Sequence, residues 1–236
     1  MVAIIKNFDE KDVNQLKTII IAVHGFSSSK NSFINKQIAP ILRENKIGMV
    51  CFDLPGHGDR KDELLKVDAC LNSIKEVEDY VRSIYNGPIS LTGKSFGGFL
   101  LLRYLENNSK KYLKTILMAP ALEQYKLWRH NENEEDRKLI KSLKKGKNFV
   151  RDGMEVDASI LNDFFKFDIF NYLNIMNDVK LIYGTNDVTV SNENIKKLAK
   201  IKNWELFAVD GADHFYRRDE DVKTVLNLFL KIINAE

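Results

Sequence analysis

Short apolar runs alternate along this chain with longer segments whose apolar residues recur every three or four positions. The short runs predict buried strands over residues 2–7, 17–23, 47–53, 88–92, 114–119, 179–184 and 204–209. The longer segments predict helices over residues 32–45, 69–85, 96–108, 192–201 and 220–234. This alternation predicts an α/β fold with a doubly wound, mostly parallel sheet that is covered by helices on both faces.

One interval departs from the alternation. Nearly sixty residues lie between Ala121, just after one predicted strand, and Asp178, just before the next, whereas such connections usually have about 2 to 6. Within this interval an Asp-Gly turn at 152–153 separates two short apolar stretches and predicts a hairpin. We therefore predict a single domain over residues 1–236, with a cap or lid inserted at 121–170.

The segment Gly93-Lys94-Ser95-Phe96-Gly97 lies between a predicted strand and a predicted helix. Gly-x-Ser-x-Gly in this context is typical of a nucleophile elbow, where the serine hydroxyl is exposed at the top of a sheet. A phosphate-binding P-loop also ends in Gly-Lys-Ser, but it needs a glycine at the position of Pro88. We therefore predict that Ser95 is a nucleophile, which requires a base, an orienting acid and oxyanion donors.

Candidates for the acid and the base lie downstream of Ser95, after the last two predicted strands. Asp187 follows one strand and His214 follows the other, at the strand ends where ligands bind in open parallel sheets. We predict Asp187 as the acid and His214 as the base, because an elbow serine is followed in the chain by the acid and then by the histidine. Glu123 is the alternative acid.

The oxyanion donors can also be predicted from the order of strands and loops. One oxyanion donor is expected to be the backbone N–H of Phe96, directly after the serine, and the other that of Phe26, in the loop after an early strand. A zinc site at His24, His57 and His214 is not expected, because their spacing is wrong and no cysteine lies nearby. The sequence therefore predicts a site with no metal and no cofactor.

These motifs resemble those of the α/β-hydrolase superfamily along nearly the whole chain. The matching segments are His24-Gly25-Phe26, Asp53-Leu54-Pro55-Gly56-His57-Gly58, the elbow, Gly184-Thr185-Asn186-Asp187 and Gly211-Ala212-Asp213-His214-Phe215. In size and layout the chain is most similar to small bacterial carboxylesterases, including the feruloyl and cinnamoyl esterase group. Two positions depart from the usual pattern: Lys94 precedes the serine, and Thr189-Val190-Ser191 follows the acid where many relatives carry a proline.

The resemblance implies an α/β-hydrolase fold and a serine esterase mechanism. The leading hypothesis is a carboxylesterase that forms an acyl-enzyme on Ser95 and acts on a small-molecule ester, with esters of aromatic acids among the candidates. The alternatives keep the triad for a peptidase, thioesterase, acyltransferase or carbon–carbon bond enzyme, or replace catalysis by ligand binding. Fold and triad alone do not separate these classes.

Apolar side chains of the inserted segment are candidate substrate contacts, because the segment leaves from strand ends beside the predicted triad. The candidates are Leu127, Trp128, Phe149 and Phe164, together with His24 and Gly25 of the core loop. A plain packing role is the alternative for each of the inserted residues.

Composition indicates which partners and which cellular compartment to expect. Hydrophobic residues make up 44% and charged residues 29% of the chain, as in ordinary globular proteins. The net charge of +3 is too small to predict a nucleic-acid partner. No apolar stretch approaches the ~20 residues of a membrane span, and the first residues lack the features of a secretory signal. With Cys51 and Cys70 expected as buried reduced thiols, we expect a cytoplasmic protein without a membrane partner.

Overall fold

Seven strands form one sheet in the computed structural model. The structure describes residues 2–106, 108, 111–130, 134–151, 153–167, 170, 174–175 and 177–235, and only the backbone of residues 129, 130, 135 and 136. The sheet strands are β1 (Ile4–Lys6), β2 (Thr18–Val23), β3 (Ile47–Phe52), β4 (Ile89–Lys94), β5 (Thr115–Met118), β8 (Val179–Gly184) and β9 (Glu205–Val209). They lie in the order β1-β3-β2-β4-β5-β8-β9, and among the described pairs of this seven-stranded sheet only β1 and β3 are antiparallel.

Helices fill the connections between these strands. They are α1 (Phe33–Glu44), α2 (Val67–Ile84), α3 (Phe96–Glu106), α4 (Gln124–His130), α5 (Glu134–Lys144), α6 (Ile160–Lys166), α7 (Asn192–Lys202) and α8 (Asp219–Asn234). Short 3₁₀ helices occur at Glu10–Gln15 and Gly58–Arg60. The predicted strands and helices are present with ends that differ by a few residues, and the predicted doubly wound, mostly parallel sheet is confirmed.

The direction of the crossovers places the helices on two faces of the sheet. α1 leads from β2 to β3 in one direction, and α2 leads back from β3 to β4 in the other. Because parallel crossovers are right-handed, α1 and α2 cover opposite faces. Accordingly, α1 packs against α8 and α2 packs against α3. β2 and β3 are buried along their whole length between these layers.

The connections change direction at β2 and β4: from β2 the chain continues to β3 on one side, and it then returns to β4 on the other side. These strands are neighbours in the sheet, with Val23 of β2 paired to Gly93 of β4 at their carboxyl ends. Connections that leave the two strands run to opposite faces and open a crevice between them, which is where open α/β sheets bind ligands. The loop that begins at His24 and the turn at Ser95 both start at this crevice.

The long interval between β5 and β8 contains α4, α5, a hairpin and α6. The hairpin strands are β6 (Phe149–Arg151) and β7 (Met154–Val156), and they correspond to the strands of the predicted hairpin, while Asp152 of its predicted turn lies outside the described residues. β7 is attached to the core at Leu65, which donates its N–H to Glu155 at 2.8 Å and accepts the N–H of Asp157 at 3.0 Å. This segment is therefore tied to the core at a point in its middle as well as at its ends.

Two further expectations concern cysteines and membranes. Both cysteines are buried and unpaired with each other, Cys51 in β3 and Cys70 in α2. Burial raises the pKa of the Cys51 thiol to about 12, so this group stays protonated at neutral pH. Across the described ranges, no helix combines the length and the apolar character that crossing a bilayer requires.

Candidate active site

Ser95 lies at the sharp turn between β4 and α3. Its φ of 53° is in the left-handed region, which costs on the order of 1–3 kcal/mol for a residue other than glycine. The turn leaves no space for flanking side chains: a Cβ on Gly93 would lie 2.6 Å from the carbonyl oxygen of Gly97, and a Cβ on Gly97 would lie 2.2 Å from that of Val23. Packing therefore requires both outer glycines of the motif.

The loop after β2 lies directly against this turn. A Cβ on Gly25 would lie 3.3 Å from the Cβ of Ser95. Phe26 follows Gly25 and Phe96 follows Ser95, and within the described chain neither of their backbone N–H groups donates to another protein group. Ser95 is partly exposed. Its hydroxyl makes no hydrogen bond to a described side chain. The hydrogen bond between a nucleophile and its base often forms fully only when substrate is bound.

His24 supports this loop through both of its ring nitrogens. Nε2 accepts the backbone N–H of Leu54 at 3.1 Å, so the ring proton is on Nδ1, which donates to the carbonyl oxygen of Gly25 at 2.7 Å. Burial lowers the pKa of His24 to about 4, with a smaller contribution from neighbouring His57. The neutral ring has no nitrogen left for substrate, which favours a positioning role over the substrate contact expected from the sequence.

His57 repeats the same arrangement from the next loop. Its Nε2 accepts the N–H of Ser27 at 3.2 Å, and its Nδ1 lies 2.9 Å from the carbonyl oxygen of Pro55. Burial lowers the pKa of His57 as well. The two rings lie 5.0 Å apart between centroids, so a pair of neutral histidines joins the loop after β2 to the loop after β3.

Asp187 and His214 meet at the carboxyl ends of β8 and β9. Oδ2 of Asp187 lies 2.7 Å from Nδ1 of His214, and both side chains are buried. Oδ1 of Asp187 accepts the N–H groups of Thr189 at 2.8 Å and Val190 at 3.1 Å. These three hydrogen bonds fix the carboxylate, and through it the plane of the imidazole.

The carboxylate of Asp187 is held in its charged form. Burial by itself raises the pKa of Asp187. The hydrogen bond and the electrostatic interaction with His214, together with the two backbone N–H groups, outweigh burial and lower this pKa below its usual value. Because Asp187 accepts the proton on Nδ1 of His214, the neutral ring presents an unprotonated Nε2. This tautomer is the one in which a histidine acts as a general base.

The loop around His214 is set by its own backbone bonds. Oδ1 of Asp213 accepts the N–H of Phe215 at 2.8 Å and that of Tyr216 at 2.9 Å. Tyr216 has a φ of 54° and its side chain is fully buried. Asp213 therefore shapes the turn that carries the histidine, and it does not orient the ring.

The alternative acid, Glu123, is placed elsewhere. Its carboxylate accepts a hydrogen bond from the amide of Asn194 and forms an ion pair with Lys126. No contact between Glu123 and His214 occurs among the described side chains, whereas Asp187 is hydrogen-bonded to that histidine. The geometry thus favours Asp187 as the orienting acid.

An aromatic cluster covers the turn at Ser95 from the side of the inserted segment. Trp128 of α4 lies 5.3 Å from Phe26 and 5.2 Å from Phe164 of α6, measured between ring centroids. Phe164 also contacts Phe96 at 6.3 Å. Trp128 and Phe164 are 5% and 3% exposed. Trp128 thus contacts Phe26 and Phe164 contacts Phe96, the two residues whose N–H groups are the candidate oxyanion donors.

The other two predicted contacts lie at the margin of the site. Leu127 lines a groove of about 640 Å³ between the start of the inserted segment and the loop that carries Asp187. Phe149, in β6, is partly buried against the core. Leu127 is therefore open to a bound molecule in this groove, whereas Phe149 contributes to the packing of the hairpin.

Two features of the site were missed in the sequence. Arg151 places its guanidinium 5.5 Å from the ring of Phe26 and 5.2 Å from that of Trp128; it carries no sequence signal beyond its place beside the predicted turn. Asp53 is fully buried and accepts the N–H of Lys30 at 2.7 Å in addition to its ammonium. The sequence did contain one signal for the buried pair of Asp53 and Lys30, because Asp53 directly follows the apolar strand β3.

Comparison with known families places the chain in one of them. The family model described as serine aminopeptidase, S33 (Hydrolase_4) matches residues 14–166. A proline iminopeptidase of Lactobacillus delbrueckii subsp. lactis is 25% identical over 130 residues, which make up 54% of this chain and 42% of that protein. The match thus spans less than half the length of that relative.

Solved structures match over almost the full chain. Ferulic acid-bound Est1E of Butyrivibrio proteoclasticus has a TM-score of 0.80 at 17% identity, covering 99% of this chain and 96% of that one. A monoacylglycerol lipase of Paleococcus ferrophilus has a TM-score of 0.70 at 17% identity, covering 99% and 98%. Mouse alpha/beta hydrolase domain-containing protein 10 has a TM-score of 0.71 at 17% identity, covering 92% and 89%. At such identities the likeness shows the fold.

Proposed function

The chain belongs to the α/β-hydrolase family described as serine aminopeptidase, S33, and we propose that it is a serine hydrolase that cleaves carboxylic esters. In this proposal Ser95 is the nucleophile, His214 the general base and Asp187 the acid that orients the base. The observation that carries it is the buried 2.7 Å hydrogen bond between Asp187 and Nδ1 of His214, in a fold whose elbow serine is in the left-handed conformation.

The proposed reaction has two halves. The hydroxyl of Ser95 attacks the ester carbonyl while Nε2 of His214 takes its proton, and the resulting imidazolium is stabilised by Asp187. His214 then gives the proton to the leaving alcohol, which departs and leaves an acyl-enzyme. Water, activated by the same histidine, attacks the acyl-enzyme and frees the acid.

The tetrahedral intermediates carry a negative oxygen that needs fixed donors. We propose the backbone N–H groups of Phe26 and Phe96 for this role, since neither has a partner within the described protein. Phe96 is also the first residue of α3, where the helix dipole favours negative charge. Removing one such donor typically raises the barrier by about 3–4 kcal/mol, so the position of the loop that carries Phe26 matters for catalysis.

We further propose that residues 121–170, an insertion within the single domain, cover the active site and select substrates, and we call this segment the roof. Its side chains Trp128 and Phe164 contact Phe26 and Phe96, so an acyl group that enters must pass between apolar rings. That environment suits small esters with apolar or aromatic acyl groups. The Est1E structure, which holds ferulic acid, is consistent with this substrate class on the same fold.

The decisive experiment pairs a covalent probe with a substrate panel. A fluorophosphonate should label Ser95, and Ser95→Ala should abolish both labelling and ester hydrolysis without unfolding, because no core cavity is opened. Ser83→Ala, which alters an exposed serine of α2, is the matched control. Nitrophenyl esters should be turned over faster than matched thioesters and aminoacyl arylamides. A preference for aminoacyl arylamides would assign the site to a peptidase, and labelling that persists in Ser95→Ala would place the nucleophile elsewhere.

A further inference from the structure

A small cavity lies beside the elbow, on the side of the sheet that carries α1. Its volume is about 150 Å³, room for about five water molecules at ~30 Å³ each. It is lined by residues from β2, the loop after β2, α1, β4, β5 and the loop after β9. They include Gly25, Ser28, Ser32, Lys94, Phe215 and Arg217. The reaction steps described above use none of these side chains.

Two cations meet in this cavity across one aromatic ring. Nζ of Lys94 lies 5.0 Å from the ring centroid of Phe215, and the guanidinium of Arg217 lies 4.0 Å from the same centroid. Among the side chains that the structure describes, no carboxylate lies within ion-pair distance of either cation. The adjacent Arg218 differs, because it is paired with acidic residues of α8. Lys94 and Arg217 therefore lie beside this cavity without a direct ion-pair partner, although the carboxylates of Asp187 and Asp213 act on Lys94 at longer range.

The first turn of α1 adds to this charge. Phe33, Ile34 and Asn35 line the cavity, and the helix is twelve residues long. Ser32 occupies the capping position, but its side chain makes no capping hydrogen bond. The free N–H groups of a helix start favour an anion, so they act in the same direction as the two cations.

The cavity lies close to Ser95. Lys94 precedes Ser95 in the chain, and Gly25 forms part of the cavity wall. A Cβ on Gly25 would lie 3.9 Å from the hydroxyl oxygen of Ser95. Gly25 therefore borders both the nucleophile and the cavity.

Lys94 keeps its charge here at a cost. Burial lowers its pKa to about 8, while the charges of Asp187 and Asp213 raise it and that of Arg217 lowers it. A partly buried cation such as Lys94, without a direct ion-pair partner, is stabilised when an anion binds beside it. The lysine in the elbow, which departs from the usual sequence pattern, is therefore better explained by anion binding than by packing.

We propose that this cavity is a subsite for a carboxylate on the substrate, so that the preferred esters carry a free acid group a few atoms from the scissile bond. Lys94 and Arg217 supply the charge, and the hydroxyls of Ser28 and Ser32 with the start of α1 supply hydrogen bonds. The inference rests on the proposed esterase function and names its substrate class. The carboxylate belongs either to the acyl half or to the alcohol half of the ester.

The test compares charged esters with neutral ones of equal size. For the acyl half, mono-4-nitrophenyl glutarate is paired with 4-nitrophenyl 4-carbamoylbutanoate; for the alcohol half, 4-(butyryloxy)benzoate is paired with its carboxamide. The readout is the ratio of kcat/KM within each pair. We expect a ratio of about ten or more in one pair, the size of a hydrogen-bonded charge contact. The pair that shows it identifies the half that carries the acid.

Variants then connect the preference to the cavity. Lys94→Met should bring the ratio close to one, and Arg217→Met should reduce it in part. Lys200→Met, which changes an exposed lysine of α7, should leave the ratio as it is. A ratio near one in the unmodified protein, or a ratio that survives Lys94→Met, would overturn the subsite while turnover of the neutral esters left the esterase intact. Failure to hydrolyse any of the four would count against the esterase.

A pH profile adds a readout that simple packing does not predict. The ratio should fall as pH rises through about 8, the pKa of Lys94, because kcat/KM reports the free enzyme. The pH dependence of the acylation chemistry cancels in the ratio, because both esters of a pair react through the same triad. The other charged groups that act on Lys94 are Asp187, Asp213 and Arg217. Lys94→Arg stays protonated, so its ratio should not fall over this range. A ratio in the unmodified protein that is constant from pH 6 to 10 would exclude Lys94 as the binding cation.

Discussion

The loops at the strand ends and the inserted segment above them are held by different kinds of contact. In the loops, acidic and imidazole groups bind backbone groups: Asp187 accepts two N–H groups and Asp213 two more. In the insertion, Trp128 and Phe164 meet the core beside the active site through aromatic rings, and the two backbone hydrogen bonds to Leu65 are made elsewhere, at β7. Hydrogen bonds are directional and fix atoms narrowly, whereas apolar packing accepts changes of shape.

That difference separates two tasks. The groups that we propose for chemistry are attached to the rigid sheet through bonds that admit one geometry, as a transition state requires. The surfaces that we propose for selection are apolar and belong to a segment that can change without moving the triad. Perturbing the loops should therefore affect rate and stability most, and perturbing the roof should affect preference.

The largest effect is expected from the acid. Asp187→Asn should lower kcat for a nitrophenyl ester by ~10⁴ while the protein stays folded, because the amide favours the wrong imidazole tautomer. Glu123→Gln is the matched control and should change kcat little, since Glu123 faces Asn194 and Lys126. If the Glu123 variant were the inactive one, the two acids would have to exchange roles.

A smaller effect concerns pH and the buried His24. Its folded pKa of about 4 lies below the 6.5 of an unperturbed histidine, so protons bind the unfolded chain first as pH falls. The stability associated with the neutral ring is complete above pH 6.5 and is lost as pH falls from there toward 4. The full difference is about 3 kcal/mol at about 1.4 per pKa unit.

Two measurements check the His24 prediction. Urea unfolding at pH 7.5, 6 and 5 should show stability falling with pH, and His24→Asn should flatten that slope even though it lowers stability overall. In NMR titrations the His24 ring signals should stay constant from pH 8 to 5. Ring signals that titrate near pH 6.5 would mean that the ring is accessible and that the loop after β2 is not fixed as described.

Selection by the roof should be moderate in size. Trp128→Leu removes part of the apolar surface beside Phe26, and at ~25 cal/mol per Å² the loss of some 60 Å² is worth about tenfold. We expect the preference for large over short acyl chains to fall by that factor, with acetate turnover little changed. Phe165→Leu, in the same segment but 71% exposed, is the control. An unchanged acyl profile in Trp128→Leu would assign selectivity to the core loops.

The sequence predicted the rigid region better than the roof for a physical reason. Strand ends, the glycines around Ser95 and the order of acid and base follow from local backbone requirements, so the positions of Asp187 and His214 could be read directly. The paired nitrogens of His24 and the contacts of Arg151 depend on segments distant in the chain that meet only after folding. For the same reason, Lys94 was noticed as unusual, but its cavity was not predictable without α1 and the loop after β9.

The smallest effect is expected where the two regions touch. The guanidinium of Arg151 lies over Phe26 of the core and Trp128 of the roof, and each such contact is worth about 0.5–1 kcal/mol at a partly exposed site. Arg151→Met keeps the length of the side chain and removes the charge, so the hairpin should open more often while the triad stays intact. Hydrogen exchange at β6 and β7 should become several times faster, with no change at β4 or β8. Arg137→Met, an exposed position in α5 of the same segment, should leave the hairpin unchanged. Equal acceleration in both variants would mean that the cation does not join roof and core, and that the backbone bonds of Leu65 alone hold the hairpin.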